Sequence, residues 1–290
     1  MAIIGRRQGV RNCRSITLAR PWLCVGLVLS WILCAPAVEA ADPAPPDGAA
    51  LARIKAAGVL VDGVEAASPP YEFNDNGEIN GFDIELARLF AQSLGVKLSV
   101  IDTNWAGVIP SLYADKFDLI WSAMPETVAR KRAVLFSSIY AVDQPVLIAR
   151  AGDAREKVAA DLKGMILGSQ LNSSVEEQAH KLSDDNKLSL DIRLYDHIDA
   201  AYLDLNNHNV DVVMTSRSGF SQLDKKRPGL YRIVLVLPPD LFMAVAARKQ
   251  DGDLIAAVNR FLAQLQASGM LTTLFTKWFG VAPLPLPAAG

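Results

Sequence analysis

The chain has 290 residues, with 29 lysines and arginines against 31 aspartates and glutamates, and a formal net charge of −2. Five of the arginines and Glu39 lie within residues 1–40, so the remainder carries 24 basic against 30 acidic side chains, a charge near −6. This acidic balance argues against nucleic acid or an anionic membrane as a partner. All three cysteines also lie within residues 1–40, which excludes disulfides and cysteine-based metal sites from the rest of the chain.

Residues 1–40 have the pattern of a secretory signal peptide. Arginines near the N-terminus precede an apolar segment at 22–33, and small residues typical of a signal-peptidase site follow it. The apolar segment is shorter than the roughly 20 residues that span a bilayer. We expect cleavage after Ala40, with Ala37 as the alternative, export by the Sec or the twin-arginine route, and a periplasmic mature protein.

Apolar periodicity and turn residues predict alternating strands and helices after a Pro/Ala-rich linker at 41–50. In chain order the sequence predicts a helix at 51–57, a strand at 59–61, an extended segment at 68–73, a helix at 82–94, a strand at 96–101, a helix ending near 116, strands at 117–121 and 142–150, a strand at 165–168, a helix from about 174, a strand at 188–194, a helix at 198–206, strands at 210–214, 232–237 and 242–247, and helices at 253–268 and 271–279.

This alternation predicts an α/β protein with two lobes, each a mostly parallel sheet flanked by helices. The last strand and two helices are too few for a third domain, so they are expected to complete the first lobe. The predicted first lobe is 51–142 with 243–280, and the second is 143–242. Two crossovers join and hinge the lobes, and residues 281–290 form a tail.

The segment from Asp118 to Arg130 has the features of an anion site. An apolar strand ends before Pro125, and ligands of open α/β sheets collect at the carboxyl ends of strands. Thr127 can cap the following turn, which leaves the planar guanidinium of Arg130 free to bind a carboxylate through two hydrogen bonds. The alternative is that the basic run Arg130–Arg132 is a solvated face.

The sequence resembles the polar-amino-acid class of bacterial extracytoplasmic solute-binding proteins, which deliver ligands to ABC importers. The resemblance rests on Pro69–Phe73 with Asn76 and Gly77, on Gly81–Leu86, on Trp105 with Ile109–Leu112, on Asp118–Ile120 followed by Arg130 and Phe136–Ser137, on Asp161–Gly164, and on Lys277–Gly280. It implies a monomer that closes over a small carboxylate ligand, uses no cofactor, and is recognised by an ABC permease complex.

The resemblance also assigns expected roles to individual residues. Arg130 matches the position that binds the α-carboxylate of the ligand, and Ser174 matches a hydroxyl residue at the start of a second-lobe helix that meets the same group. Trp105 matches an aromatic residue that stacks on the ligand, Ser122 a pocket-lining position, and Glu65 a position that meets a cationic group. The alternatives are that Ser174 only caps its own helix, that Trp105 belongs to the core, and that Glu65 is one of many exposed acids.

Three positions depart from the family pattern. Ser216 stands where the family usually has an aspartate that binds the α-ammonium, Pro125 replaces a Ser or Thr, and Asn172 replaces a glycine. A neutral Ser216 cannot balance a buried ammonium, whose desolvation demands a charged partner. The sequence therefore predicts a carboxylate whose cationic group is absent or altered, or leans on Glu65 and Glu126 of the first lobe.

Two other functions are compatible with this scaffold. One is a periplasmic enzyme similar to cyclohexadienyl dehydratases, with Glu65 or Glu126 as general acid. The other is a free-standing ligand sensor. The sequence contains no pattern that indicates a Ser-His-Asp set or a metal site, and His180, His197 and His208 are predicted to be solvated.

Overall fold

The structure is a computed structural model that describes residues 49–153 and 159–287. The predicted signal peptide and residues 41–48 of the predicted linker lie outside the described residues. The last two residues of that linker instead begin the first helix. Within the described ranges, no helix has the length and apolar character needed to cross a membrane.

Each helix predicted from the sequence has a counterpart in the described residues, which contain two further helices. The helices are α1 (Ala49–Ala57), α2 (Phe82–Ser93), α3 (Val108–Tyr113), α4 (Val128–Ala133), α5 (Ser174–Asp185), α6 (Ile198–Asn206), α7 (Arg217–Lys226), α8 (Gly252–Ala267) and α9 (Met270–Phe279). Short 3-10 turns occupy Trp105–Gly107 and Ala159–Leu162. Helix α7 was not predicted from the sequence.

The strands are shorter than the helices and more numerous. They are β1 (Val59–Val64), β2 (Ala67–Ser68), β3 (Glu72–Asp75), β4 (Glu78–Asn80), β5 (Lys97–Asp102), β6 (Leu119–Ile120), β7 (Leu135–Phe136), β8 (Ala141–Asp143), β9 (Pro145–Arg150), β10 (Ile166–Gln170), β11 (Asp191–Tyr195), β12 (Val212–Ser216), β13 (Tyr231–Val236), β14 (Leu241–Met243) and β15 (Ala246–Ala247).

Two five-stranded sheets form the two lobes. The first sheet has the order β5-β1-β6-β15-β7, and the second has the order β11-β10-β12-β9-β13. In each sheet two pairings are parallel and two are antiparallel. The predicted α/β two-lobe class is confirmed, but the sheets are mixed rather than mostly parallel. Strands β15 and β9, which enter from the opposite lobe, run against their neighbours.

Strands β8 and β14 form a separate antiparallel ribbon, which we call the hinge ribbon. Its pairs are Leu241 with Asp143, Phe242 with Val142, and Met243 with Ala141. Along the chain, β8 connects β7 of the first sheet to β9 of the second, and β14 connects β13 of the second sheet to β15 of the first. The predicted single strand at 242–247 is therefore two strands in two different ladders.

The second sheet is buried on both faces, as strand β9 shows. Val146 and Ile148 pack with α6 on one face, whereas Leu147 and Ala149 pack with α5 on the other. All four side chains are inaccessible to solvent. Since burying a Val, Leu or Ile side chain contributes about 1.5–3 kcal/mol, a continuous apolar strand fits this position.

Candidate functional site

A cavity of about 660 Å³ lies between the two lobes. Its polar lining comes from residues at or just beyond the carboxyl ends of strands: Glu65 after β1, Ser122 after β6, Gln170 at the end of β10, and Ser216 at the end of β12. Ser174, at the first turn of α5, lies beside them. Strand ends of open α/β sheets are where ligands bind, and this volume suits a small molecule.

Glu65 is buried and contacts the second lobe. Its Oε2 accepts a hydrogen bond from Nε2 of Gln170 (2.8 Å), and its Oε1 lies 3.0 Å from Nδ1 of His197. Burial raises the pKa of Glu65, and the hydrogen bonds from Gln170 and His197 oppose that rise. The alternative that Glu65 is one of many exposed acids was wrong, because only 3% of the residue is exposed. His197, predicted to be solvated, contacts a buried acid although more than half of its own side chain is exposed.

Ser122 lines the cavity but uses its hydroxyl within the first lobe. Its Oγ accepts a hydrogen bond from the backbone N–H of Glu65 (3.1 Å) and donates one to Oε1 of Glu72 (2.9 Å). Ser122 therefore positions the Glu65 backbone at the floor of the cavity. The resemblance predicted a lining residue, and the structure places it in the lining.

Arg130 is held as the sequence predicted, by a turn whose cap is Thr127. The Thr127 hydroxyl accepts a hydrogen bond from the Arg130 backbone N–H (3.2 Å). The guanidinium then reaches across to the second lobe, where Nη1 donates to Oγ of Ser174 (3.1 Å) and Nη2 donates to the carbonyl of Asn172 (2.9 Å). Nη1 also donates to the carbonyl of Pro125 (2.9 Å). Arg130 is therefore not part of a solvated face.

Arg130 does not line the large cavity. It lines an adjoining cavity of about 440 Å³ together with Asn172 and Glu177, and Trp105 borders both cavities. The Cζ atom of Arg130 lies 5.1 Å from the centroid of the Trp105 ring, whose Nε1 donates to the Asn172 carbonyl (3.1 Å). Burial lowers the pKa of Arg130 to about 10, and the Glu177 carboxylate opposes this. The donors predicted to bind a carboxylate are engaged by protein oxygens.

The start of α5 leaves Ser174 free to meet Arg130. The cap of this helix is Ser173, whose Oγ accepts from the backbone N–H of Glu176 (3.1 Å). The alternative that Ser174 only caps its own helix was wrong. Asn172 has φ 58°, a left-handed conformation that Asn tolerates better than most residues, which explains how it can replace a glycine.

Ser216 caps the unpredicted helix α7. Its Oγ accepts a hydrogen bond from the backbone N–H of Gly219 (3.1 Å) and lies 3.0 Å from Oγ of Ser218, which also lines the cavity. Ser218 in turn donates to the buried carboxylate of Asp143. The sequence reasoning missed Ser218 and Asp143, and the only signal for Asp143 was an acid inside an otherwise apolar extended run.

Glu126 is not positioned to meet a ligand in the cavity. Its carboxylate pairs with Nζ of Lys131 (2.8 Å), and it lies outside the lining of both cavities. Of the two first-lobe acids that the sequence offered for a ligand cation, the structure places only Glu65 in the cavity lining.

Two α/β lobes, a hinge ribbon between them, and a polar cavity at their strand ends define a two-lobe ligand-binding protein. The chain belongs to the bacterial extracellular solute-binding proteins, family 3, whose family model matches residues 60–281. This confirms the resemblance drawn from its motifs.

Three similar proteins illustrate the relationship. The L-cystine-binding protein TcyJ of Escherichia coli (strain K12) is 31% identical over 236 residues, which cover 81% of this chain and 87% of that protein. A mutant of ArgBP from T. maritima superposes with a TM-score of 0.73 at 33% identity, covering 80% of this chain and 100% of that one. The ancestral amino acid-binding protein AncCDT-1, a precursor of cyclohexadienyl dehydratase, superposes with a TM-score of 0.71 at 30% identity, covering 79% and 98%.

Proposed function

We propose that this protein is the extracytoplasmic substrate-binding component of an ABC importer, and that it captures a small carboxylate-bearing solute, an amino acid or a derivative, by hinge closure. The observation that carries this proposal is the set of contacts across the cavity: Glu65 with Gln170, and Arg130 with Ser174. A ligand that contacts both lobes favours the closed form by its differential affinity, and a permease complex would recognise that form.

The proposed lobe boundaries follow the sheets. The first lobe is 51–142 with 243–280, and the second is 143–242, because each sheet takes its strands from within one of these ranges. The hinge ribbon would be the part that bends. In the proposed tail at 281–290, Leu286 packs against the apolar core of the first lobe.

The carboxylate of the ligand would bind between Arg130 and the start of α5. The two terminal nitrogens of Arg130 already donate to two oxygen atoms of the second lobe, the Ser174 hydroxyl and the Asn172 carbonyl. The two oxygens of a carboxylate can take over those donors in a bidentate arrangement. The N-terminus of the 12-residue helix α5 would add backbone donors and a partial positive charge.

The relatives support an amino acid or derivative as the solute. The names of similar proteins state L-cystine and arginine as their ligands. We propose a periplasmic monomer that acts without a cofactor and is not an enzyme. The second candidate is an enzyme, which the buried Glu65 favours because a carboxyl group with a raised pKa in a cavity suits a general acid.

The test is ligand capture without turnover. Native mass spectrometry of the freshly purified protein would identify any solute that co-purifies, and calorimetry would then measure amino acids, their N-acyl derivatives and small organic acids. We expect tight binding of a carboxylate, a fall in radius of gyration on binding, and unchanged ligand after prolonged incubation. Formation of a product would favour the enzyme, and failure of every carboxylate to bind would contradict the proposal.

A further inference from the structure

Asp143 is a buried acid on the hinge ribbon that is linked to the second-lobe wall of the cavity by the hydroxyl groups of Ser218 and Ser216. Only 6% of the residue is exposed. One carboxylate oxygen accepts from the Ser218 hydroxyl, and the other accepts from the backbone N–H of Gln144 (2.7 Å) and of Ser218 (3.4 Å). In the described part of the chain no cationic side chain lies within ion-pair distance of this carboxylate. The neighbouring guanidinium of Arg217 instead donates to Gln144.

The hydrogen-bond directions along this wall follow from the carboxylate. A hydroxyl has one proton, and Ser218 donates its proton to Asp143. In the contact between Ser216 and Ser218, the proton must therefore come from Ser216. Ser216 also accepts from the backbone N–H of Gly219. The remaining lone pair of Ser216 is an acceptor, and Ser216 lines the cavity.

The charge of Asp143 exceeds the opposing charge at this position. The N-terminus of α7 carries a partial positive charge of about half a unit, which would disfavour a ligand cation beside Ser216. Burial raises the pKa of Asp143, and the hydrogen bonds from Ser218 and Gln144 oppose that rise. When ionised, Asp143 carries a full negative charge at the same helix end, which more than offsets the partial positive charge. Two cavity-lining tyrosines, Tyr71 and Tyr202, come from different lobes. Burial is the main cause that raises the pKa of each, and the negative charge of Asp143 adds to the rise.

Tyr71 provides a further unused polar atom in the same cavity. The residue is 3% exposed, and its phenolic oxygen has no hydrogen-bond partner among the described residues. A buried polar atom without a partner costs free energy, and a polar ligand group in the cavity would remove that cost. Glu65, by contrast, already has a protein partner on each carboxylate oxygen.

We propose that Ser216, Ser218 and Asp143 form the subsite that receives the ammonium group of an amino-acid ligand: Ser216 accepts the hydrogen bond, and Asp143 supplies the negative charge through Ser218. This inference rests on the proposed function. In the family pattern an aspartate at position 216 binds the ammonium group. Here that charge would come from Asp143, which is linked to the cavity by the hydroxyls of Ser218 and Ser216. This inference also moves the expected cation site from the first lobe to the second, and makes standard amino acids suitable ligands.

The experiment compares each amino acid with its des-amino analogue, the same carboxylate with hydrogen in place of the α-amino group. The first probes are L-arginine and L-cystine with their analogues, followed by the other standard amino acids, all measured by calorimetry. The parent protein should prefer the amino acid. Asp143→Asn should lose about tenfold or more in affinity for the amino acid and less than about twofold for the analogue, since the variant removes the negative charge that faces the ammonium and leaves the carboxylate contacts unchanged.

Three further variants separate a charge effect from damage to the fold. Ser218→Ala interrupts the relay while Asp143 remains, and it should show the same selective loss. Asp143→Asn with Ser216→Asp places a carboxylate directly at the cavity, and it should recover the affinity for the amino acid. Asp184→Asn removes the same charge from an exposed position at the far end of α5, and it should match the parent. Thermal unfolding of each variant checks that it is folded.

The outcomes distinguish failure of this inference from failure of the proposed function. If the parent binds an amino acid and its analogue equally well, or Asp143→Asn weakens both equally, the ammonium subsite is wrong although carboxylate capture stands. If no carboxylate of either kind binds the parent, the proposed function fails and the subsite fails with it. Selective loss that the double variant does not recover would also contradict the subsite.

Discussion

Nδ1 of His197 lies 3.0 Å from Oε1 of Glu65, and this contact joins the second lobe to the first at the edge of the cavity. The Glu65 side chain is 4% exposed and the His197 side chain is 55% exposed. Glu65, a buried acid of the first lobe, therefore has two hydrogen-bond partners in the second lobe, His197 and Gln170. Separation of the lobes would leave that carboxylate without either partner.

We predict that removing both partners shifts the unliganded protein further toward the open form. In Gln170→Ala with His197→Ala, a buried carboxylate loses two hydrogen bonds, and hydrogen bonds to charged groups contribute about 1.5–3 kcal/mol each. The radius of gyration from small-angle scattering should rise, and ligand affinity should fall because less of the protein is closed. His180→Ala, at an exposed position of α5, serves as the control. An unchanged radius in the double variant would show that these contacts do not hold the lobes together.

We predict that Arg130 is required for binding in a way that a lysine cannot replace. Arg130→Ala should weaken carboxylate binding by about 3 kcal/mol, and Arg130→Lys should also lose substantially because an ammonium cannot reproduce the planar fork. Arg132→Ala, which changes an exposed neighbour in the same basic run, is the matched control. Calorimetry with the identified ligand decides. Parent-like affinity in both Arg130 variants would remove Arg130 from the site.

The left-handed backbone at Asn172 leads to a further prediction. The Asn172 carbonyl accepts from both Trp105 and Arg130, so its orientation fixes two cavity side chains. Asn172→Gly should bind ligand like the parent, because glycine adopts this conformation freely. Asn172→Val should lower the free energy of unfolding by about 1–2 kcal/mol and weaken binding, because a β-branched residue resists it. Denaturant unfolding and calorimetry measure both effects, and equal behaviour of the two variants would contradict the prediction.

Asp83 should make stability depend on pH. Burial raises its pKa from 3.8 to about 7, although Tyr140 and the Ala123 backbone N–H donate to it. A raised pKa in the folded state means that its stabilising contribution is complete below about pH 3.8 and is lost as pH rises through 7. Asp83→Asn, which can accept the same two hydrogen bonds, should therefore gain stability relative to the parent between pH 5 and 8. Urea unfolding at several pH values measures the difference in the free energy of unfolding between the two proteins. A difference that stays constant from pH 5 to 8 would refute the prediction.

Elements with strong periodicity could be predicted from the sequence. The bounds of α6, Ile198–Asn206, agree with the prediction. Helix α8 begins and ends one residue earlier than predicted, and α9 begins one residue earlier. The turn that holds Arg130 was also predicted, because a threonine cap three residues before the arginine is a local signal. Local signals of this kind do not depend on which parts of the chain meet in the fold.

Features that depend on the fold could not be predicted. Helix α7 has two serines and a glycine in its first turns and only two apolar residues, Phe220 and Leu223, so its helix propensity is low and its apolar face is too short to mark a helix in the sequence. Asp143 lies in an extended apolar run whose sequence does not reveal that the hinge ribbon buries it against Ser218. The engagement of Arg130 by second-lobe oxygens likewise depends on how the lobes meet.

The pairing of β8 with β14 has a mechanical consequence. Because the two connections between the lobes are hydrogen-bonded side by side over three residue pairs, neither can twist without carrying the other. The ribbon should therefore bend easily perpendicular to its plane and resist sliding of one strand along the other. This restricts the lobes to rotation about a single axis. Asp143 is the end residue of the hinge ribbon, where it pairs with Leu241. A cationic ligand group at the cavity wall would therefore interact with a residue of the element that bends when the lobes move.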